Sequence, residues 1–310
     1  MNDLLNALTN ARPDESDLDR VWGQQDRAAT LQRAQRRAST QGRRRRIVRT
    51  TAAATVTALV GVPALGAWQQ AAAAGDLRDL SRAAAQDTAP VLGEGDFLHV
   101  VSRSSQDNSS LFGDGRTWVD HRECWVRWDG QEWCVETREG KNYRDLMRFH
   151  PEGAGTSVND PSPEFVSSWP TDATELRAFL DERVSGSNSH QEALYVAITD
   201  AARTGYLPPQ VLAAGLEMLA EVRGVHTEDV TVAGRAAVAL SFRRFFVSLL
   251  DEKTTILDKA TGQVIAEKSS DPSSTWETRV EQSEIVRQVP EEVLADFETH
   301  GEDRVFDGPS

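Results

Sequence analysis

The hydrophobic positions fall first at helical spacing, then in an uncharged run, and then at strand alternation with a helical block in its middle. Near the start, Leu4, Leu5 and Leu8 share one helical face, and Arg12-Pro13 ends that pattern. A second face follows Asp14–Asp17 through Val21, Trp22, Ala28, Leu31 and Ala34. Two such short helices bury too little apolar surface to fold alone. Residues 1–46 are therefore read either as a binder of a cytoplasmic partner or as a disordered basic tether. From Thr50 to Gly75 there is no charged residue, and helical spacing continues through Leu77, Leu80 and Ala83–Ala85. Ala89-Pro90 and Gly93-Glu94-Gly95 break it.

Strand alternation then begins at Phe97–Val101 and continues in Thr117–Trp128 and Gln131–Arg138, while the Gly/Ser/Pro-rich stretch 153–168 reads as a loop. Three helical segments follow. The first opens on Asp172-Ala-Thr-Glu175, a capping-box spacing, and carries Leu176, Phe179 and Leu180. The second spans Gln191 to Arg203, and the third starts at Pro208-Pro209 and carries Val211, Leu212, Leu216, Leu219 and Val222. Short β segments return at 230–232, 236–242, 245–250, 254–257, 264–266 and 275–289, separated by turn signals such as Gly234-Arg235 and Thr261-Gly262. Strands, then helices, then a meander predict an α+β domain, a curved antiparallel sheet with helices on its concave side.

Charge sets the expected topology. Residues 1–49 carry 11 Lys+Arg against 6 Asp+Glu, leaving 23 against 42 and a net of −19 for the remainder. The cluster Arg43, Arg44, Arg45, Arg46 and Arg49 abuts the uncharged run, so it is expected to stay at the cytoplasmic membrane surface while the acidic part is exported. A bilayer-crossing helix wants about 20 predominantly apolar residues. Here the length fits, but Thr50 to Trp68 holds four Thr, six Ala and only five of Val or Leu. A retained single span over 47–74 is the leading reading, with a cleaved export signal as its rival, given small-residue ends such as Ala72-Ala73-Ala74. The expected organisation is a cytoplasmic tail over 1–46, a transmembrane helix over 47–74 and a linker over 75–93. An extracytoplasmic domain over 94–290 and an acidic C-terminal tail over 291–310 complete it. The acidic main domain would repel phosphates, so nucleic acid is not an expected partner.

Cys124 and Cys134 flank Trp128-Asp129-Gly130 and allow two hairpin registers. A two-residue loop would put the cysteines on opposite faces and set like charges across the ladder. A three-residue loop with Gly130 in the left-handed position makes Cys124 face Cys134, Arg122 face Glu136, Asp120 face Arg138 and Trp125 stand beside Trp133. Cross-strand pairs contribute roughly 0.2–1 kcal/mol each, so the second register has the better sum. Directly opposed cysteines lie within disulfide reach. A structural Cys124–Cys134 bond is expected in an oxidising compartment, against the alternatives of two reduced thiols or a reactive or metal-binding pair.

Catalytic signatures are lacking. The chain holds no His-Glu-x-x-His, Gly-x-Ser-x-Gly, Walker loop or dinucleotide fingerprint. His121-Arg122-Glu123 matches the first half of a zinc deaminase signature, but no Pro-Cys-x-x-Cys follows, and strand alternation explains it better. The other histidines are scattered, so no enzyme, metal or cofactor is expected. The aromatic side chains are the more suggestive set. Trp118, Trp125 and Trp133, with Phe242, Phe245 and Phe246, either line a groove for an apolar ligand or form ordinary core.

The ordering as a whole resembles a group of actinobacterial single-pass membrane proteins with an Arg-rich juxtamembrane segment and a lipoprotein-carrier-like exterior domain. The likeness rests on Arg43–Arg46, the strand Phe97-Leu-His-Val-Val, Trp125-Val-Arg-Trp-Asp-Gly130 and Trp169-Pro-Thr-Asp. Leu207-Pro-Pro, Gly224-Val225, Val232-Ala-Gly-Arg235 and Leu257-Asp-Lys-Ala-Thr-Gly262-Gln-Val-Ile add to it. The last of these is similar to the final meander of LolA-, LppX- and RseB-like half-barrels. The resemblance covers residues 43–290 and implies a half-open β-barrel with helices on the concave side, behind one transmembrane helix. It implies a membrane-anchored sensor or regulator that binds an apolar ligand or envelope protein outside and a cytoplasmic, sigma-factor-type regulator inside. The alternative is a lipid-binding carrier of the cell envelope, which the lack of a lipobox cysteine near the apolar run makes less apt as a shuttling lipoprotein. The resemblance transfers no site residues.

Overall fold

The computed structural model describes residues 61–108, 115–150, 155–185, 187, 189–242, 252–270 and 274–305. The basic cluster Arg43–Arg46 and Arg49, the two short N-terminal helices, and Phe245 and Phe246 lie outside the described residues. The strands are β1 (Phe97–Asp107), β2 (Thr117–Arg127), β3 (Glu132–Arg138), β4 (Arg144–His150) and β5 (Val225–Val232). After them come β6 (Arg235–Phe242), β7 (Glu252–Asp258), β8 (Val264–Ser270), β9 (Thr275–Val286) and β10 (Glu302–Val305). The helices are α1 (Gly61–Gln86), α2 (Pro163–Ser167), α3 (Ala173–Asp181), α4 (His190–Arg203), α5 (Pro209–Leu219) and α6 (Glu291–His300).

All ten strands form one open sheet in the order β10-β4-β3-β2-β1-β9-β8-β7-β6-β5. Two meanders, β1 to β4 and β5 to β9, are joined through the β1–β9 pair, and only β10 runs parallel to its neighbour β4. Helices α2 to α5 fill the crossover between the meanders. This is the α+β arrangement expected from the order of elements, an open sheet with helices packed against it, α3 to α5 on one face and α6 on the other.

Alternation along the strands splits the sheet into two differently covered faces. Leu98 and Val126, opposed across β1 and β2, point into the main core with Leu176, Leu180, Leu194, Ile198, Leu212 and Leu216 from α3, α4 and α5. One residue away, Phe97, Trp125 and Trp133 point to the other face, where Leu146, Val289 and Phe297 close a smaller core beneath α6. Local signals set the helix starts. The Asp172 carboxylate accepts from the amides of Thr174 and Glu175, and Pro209 occupies the first turn of α5, where no amide is needed.

Besides β4 (Arg144–His150), a strand the alternation did not predict, three stretches differ from the sequence expectation. The region 153–168 contains a short helix, α2, capped by the Ser162 hydroxyl. The C-terminal stretch from residue 291 forms α6 and β10, because Phe297, 2% exposed, gives an otherwise acidic segment one strong anchor. The third difference concerns the expected span. No helix among the described residues is long and apolar enough to cross a membrane. Instead α1 runs from Gly61 to Gln86 without a break at residue 75, and Ala73, Leu77, Leu80 and Ala84 are buried at four-, three- and four-residue intervals. They pack in the main core with α5, and polar contacts reinforce the seat. Gln70 donates to the carbonyl of Val222 at 3.1 Å, Ser81 to that of Ala213 at 2.8 Å, and Thr227 to the Asp76 carboxylate at 2.6 Å. A side chain seated in this core cannot also face lipid, so the stretch from Gln70 onward is not membrane-crossing. Gly262, at φ +69° in the β7–β8 turn, completes the seat, since a Cβ there would meet Leu80 O and the Ala84 Cβ at 3.0 Å.

Candidate functional site

The β2–β3 hairpin has the register read from the sequence. Asp120, Arg122, Cys124 and Trp125 pair with Arg138, Glu136, Cys134 and Trp133, and Gly130 has φ +86°. Cys124 and Cys134 are disulfide-bonded with Cα atoms 4.2 Å apart. Both charged pairs form, Arg122 donating through Nε and Nη2 to Glu136, and Arg138 gripping both oxygens of Asp120 at 2.7 and 3.1 Å. Among the described residues, Cys124, Glu132 and Cys134 form the one group spaced to hold a metal, but the disulfide leaves no thiolate to ligate it.

Of the aromatic candidates for a groove, the four among the described residues, Trp118, Trp125, Trp133 and Phe242, are not brought together, because consecutive strand residues alternate faces. Trp125 stacks against His99 at 4.9 Å, and Trp133 meets Phe97 edge-on at 5.9 Å, both on the α6 face. Trp118 lies on the opposite face beneath the Arg138 guanidinium, and Phe242 packs on Tyr195 at 5.4 Å in the main core. A different set of side chains lines the cavity the fold makes.

A chamber of about 360 Å³ opens between β1, β8 and β9 and the α4–α5 connection. Its apolar wall comes from Leu92, Leu98, Val100, Leu207, Val264 and Ile285, with Val91 at the rim, 50% exposed. Leu98 and Val100 project here because they share the even-numbered face of β1. Leu207 is placed by the turn before Pro208-Pro209, so Leu207-Pro-Pro was the sequence signal for this wall. Arg203, the last residue of α4, stands at its polar end.

A second chamber of about 300 Å³ adjoins it and shares Val100, Arg203, Val264 and Val280. Its lining is mixed, with Ser102, Asp120, Arg122, Glu136 and Glu267 beside Val264, Ala266 and Val280, and with the Ser104 and Thr278 hydroxyls bonded to each other at 2.5 Å. Trp276, which the sequence did not single out, forms one side. Glu267 is 4% exposed, and burial pushes its carboxyl up while Arg203 and Lys253 act in the opposite sense. Nearby, burial and the Asp160 charge push the Glu132 carboxyl up to about 7, with Arg122 and Arg203 opposing. Buried Glu267 and half-buried Glu132 were unremarkable in an acidic sequence.

The Glu132 shift has a definite sign. A carboxyl whose folded pKa exceeds its unfolded value favours the native state in acid, and that contribution is lost as pH rises from about 4.5 through about 7. Glu132→Gln is therefore expected to raise stability above pH 7 by on the order of 1–3 kcal/mol and to flatten the pH 5–8 slope. Chemical denaturation at pH 5 and pH 8 checks this, and an unchanged slope would refute it.

No family model and no curated protein matches the chain. Similar solved structures include MucB in complex with MucA(peri), at 14% identity and a TM-score of 0.23 over 72% of this chain. The match spans 58% of that MucB chain, little more than half its length. A putative outer membrane lipoprotein-sorting protein domain from Vibrio parahaemolyticus matches at 11% identity and TM-score 0.24, covering 73% of this chain and 97% of that one. The LolA superfamily protein NE2245 from Nitrosomonas europaea matches at 5% and 0.21, covering 69% and 94%. Scores this low superpose too little backbone to transfer anything from those proteins.

Proposed function

We propose that the folded part is a non-catalytic binding domain whose first chamber takes an apolar chain. The observation that carries this is the cavity itself, at about 360 Å³ and walled by Leu92, Leu98, Val100, Leu207, Val264 and Ile285. Ordinary close packing would fill such a space, since burying each further side chain contributes roughly 1.5–3 kcal/mol. Its size falls within the range of small-molecule pockets, about 300–1,000 Å³. The disulfide supports an oxidising, extracytoplasmic setting. The uncharged residues ahead of Gln70, behind Arg43–Arg46 and Arg49, would then anchor the chain with its N-terminus in the cytoplasm.

A second reading is favoured by α1. This helix carries Leu77, Leu80 and Ala84 of the main core and follows the uncharged run directly in the sequence. That suits a membrane-anchored regulator with a protein partner outside and, through residues 1–46, a sigma-factor-type regulator inside. In the carrier reading the N-terminal part is inert.

Native mass spectrometry with lipid extraction on the full chain tests the chain-binding reading. A stoichiometric apolar ligand is expected, with Val91→Asp at the exposed rim weakening it several-fold and leaving thermal stability unchanged. An empty protein that also fails to take up added lipid would refute it.

A further inference from the structure

The volume of a chamber limits how much hydrocarbon a ligand can bury in it. A methylene occupies as much space as a water molecule in the liquid, roughly 30 Å³. The first chamber, at about 360 Å³, therefore holds about a dozen carbons. Two palmitoyl chains would need on the order of 1,000 Å³, more than the first chamber and its neighbour of about 300 Å³ offer together.

The walls leave no room for a second chain to be made. Leu92, Leu98 and Leu207 are almost fully buried members of the main core, so moving them outward would open that core. At Gly205 the α4–α5 connection comes down onto β1, where even a Cβ would stand 3.4 Å from Leu98 Cδ2. That approach fixes the width of the chamber at this end. Past Arg203 the space continues into the second chamber, but Asp120, Arg122, Glu136 and Glu267 line it. A hydrocarbon tail laid over them displaces their water and returns no hydrogen bond. The apolar part of a ligand therefore lies between Val91 at the rim and Arg203, whichever end enters first.

We propose that the first chamber takes a single apolar chain of up to about twelve carbons, and so selects single-chain amphiphiles over diacyl lipids. This rests on the chain-binding reading and narrows it. A diacyl lipid could seat only one of its chains, and the other would be left in water at the rim.

The test holds the full chain in a fluorinated surfactant, which mixes poorly with hydrocarbon. Lysophosphatidylcholines from octanoyl to stearoyl, and dipalmitoyl phosphatidylcholine, are offered one at a time at equal free concentration. Native mass spectrometry reads the bound mass. Affinity is expected to rise about fourfold per added methylene up to about twelve carbons, and then to level off. The diacyl lipid is expected to bind about tenfold or more weakly than lauroyl lysophosphatidylcholine. Val264→Phe places a ring where the two chambers meet, and is expected to move the plateau about two carbons shorter. If that variant does not fold, the wild-type series decides alone. Affinity that keeps rising to stearoyl, equal binding of the diacyl lipid, or a plateau that Val264→Phe leaves in place would overturn the one-chain limit and leave chain binding intact. Binding of none would overturn both.

Discussion

Replacing Leu77 and Leu80 together by alanine is expected to unfold the domain or bring it to the edge of unfolding. Leu77 is fully buried and Leu80 2% exposed, and both join the main core with Leu212 and Leu216. Leucine-to-alanine changes at such sites cost about 2–5 kcal/mol each, through lost transfer energy and the cavity left behind. Adjacent sites share a cavity, so the two costs will not add simply. Even so, their sum rivals the whole stability of an ordinary domain, about 5–15 kcal/mol. Arg82→Ala, on the exposed side of the same helix beside Asp79, is expected to change stability by less than about 0.5 kcal/mol. Denaturant unfolding of the three proteins measures this directly. Similar midpoints for all three would mean that α1 is dispensable. The same physics bears on dissection of the chain. A fragment starting at residue 90 lacks Leu77, Leu80 and Ala84, leaves α5 without its partner, and is expected to lose cooperative unfolding.

Breaking the disulfide is the second large effect. Cys124 and Cys134 are ten residues apart, and closing a loop of that length restricts the unfolded chain by roughly 2.5–3 kcal/mol in the chain-entropy picture. For a domain of this size each kcal/mol shifts the melting temperature by about 2–4 °C. Reductant, or the double change Cys124→Ala with Cys134→Ala, is expected to lower it by roughly 5–12 °C. Reductant should have no further effect on the double variant. A wild-type protein whose melting is indifferent to reductant would show that the hairpin is held by its other pairs alone. Those pairs, Arg122–Glu136 and Asp120–Arg138, lie further up the same ladder and flank the second chamber.

The hairpin and the helix starts were legible because the information is local. Register between Asp120 and Arg138 follows from which residues face each other across a short loop, where the opposite-charge pairs favour the loop that aligns the cysteines. The Asp172 cap and the Pro208-Pro209 start are settled within one helical turn. The described aromatic candidates part for an equally physical reason. Trp118 and Trp125 are an odd number of strand residues apart, so they face opposite ways, and what covers each face depends on distant helices. Only the fold could show that α6, from a stretch that reads as an acidic tail, closes over Trp125 and Trp133. The sequence by itself determined the broad order of strands, helices and meander, without β4, α2, α6 or β10, together with the hairpin pairing and the disulfide. Tertiary structure alone decided that α1 is core from Gln70 onward, that Leu98, Val100 and Leu207 wall a chamber, and that Glu267 is buried beside Arg203 and Lys253. Burial and charge balance arise between segments far apart in the chain, and no local pattern encodes what a side chain will meet there.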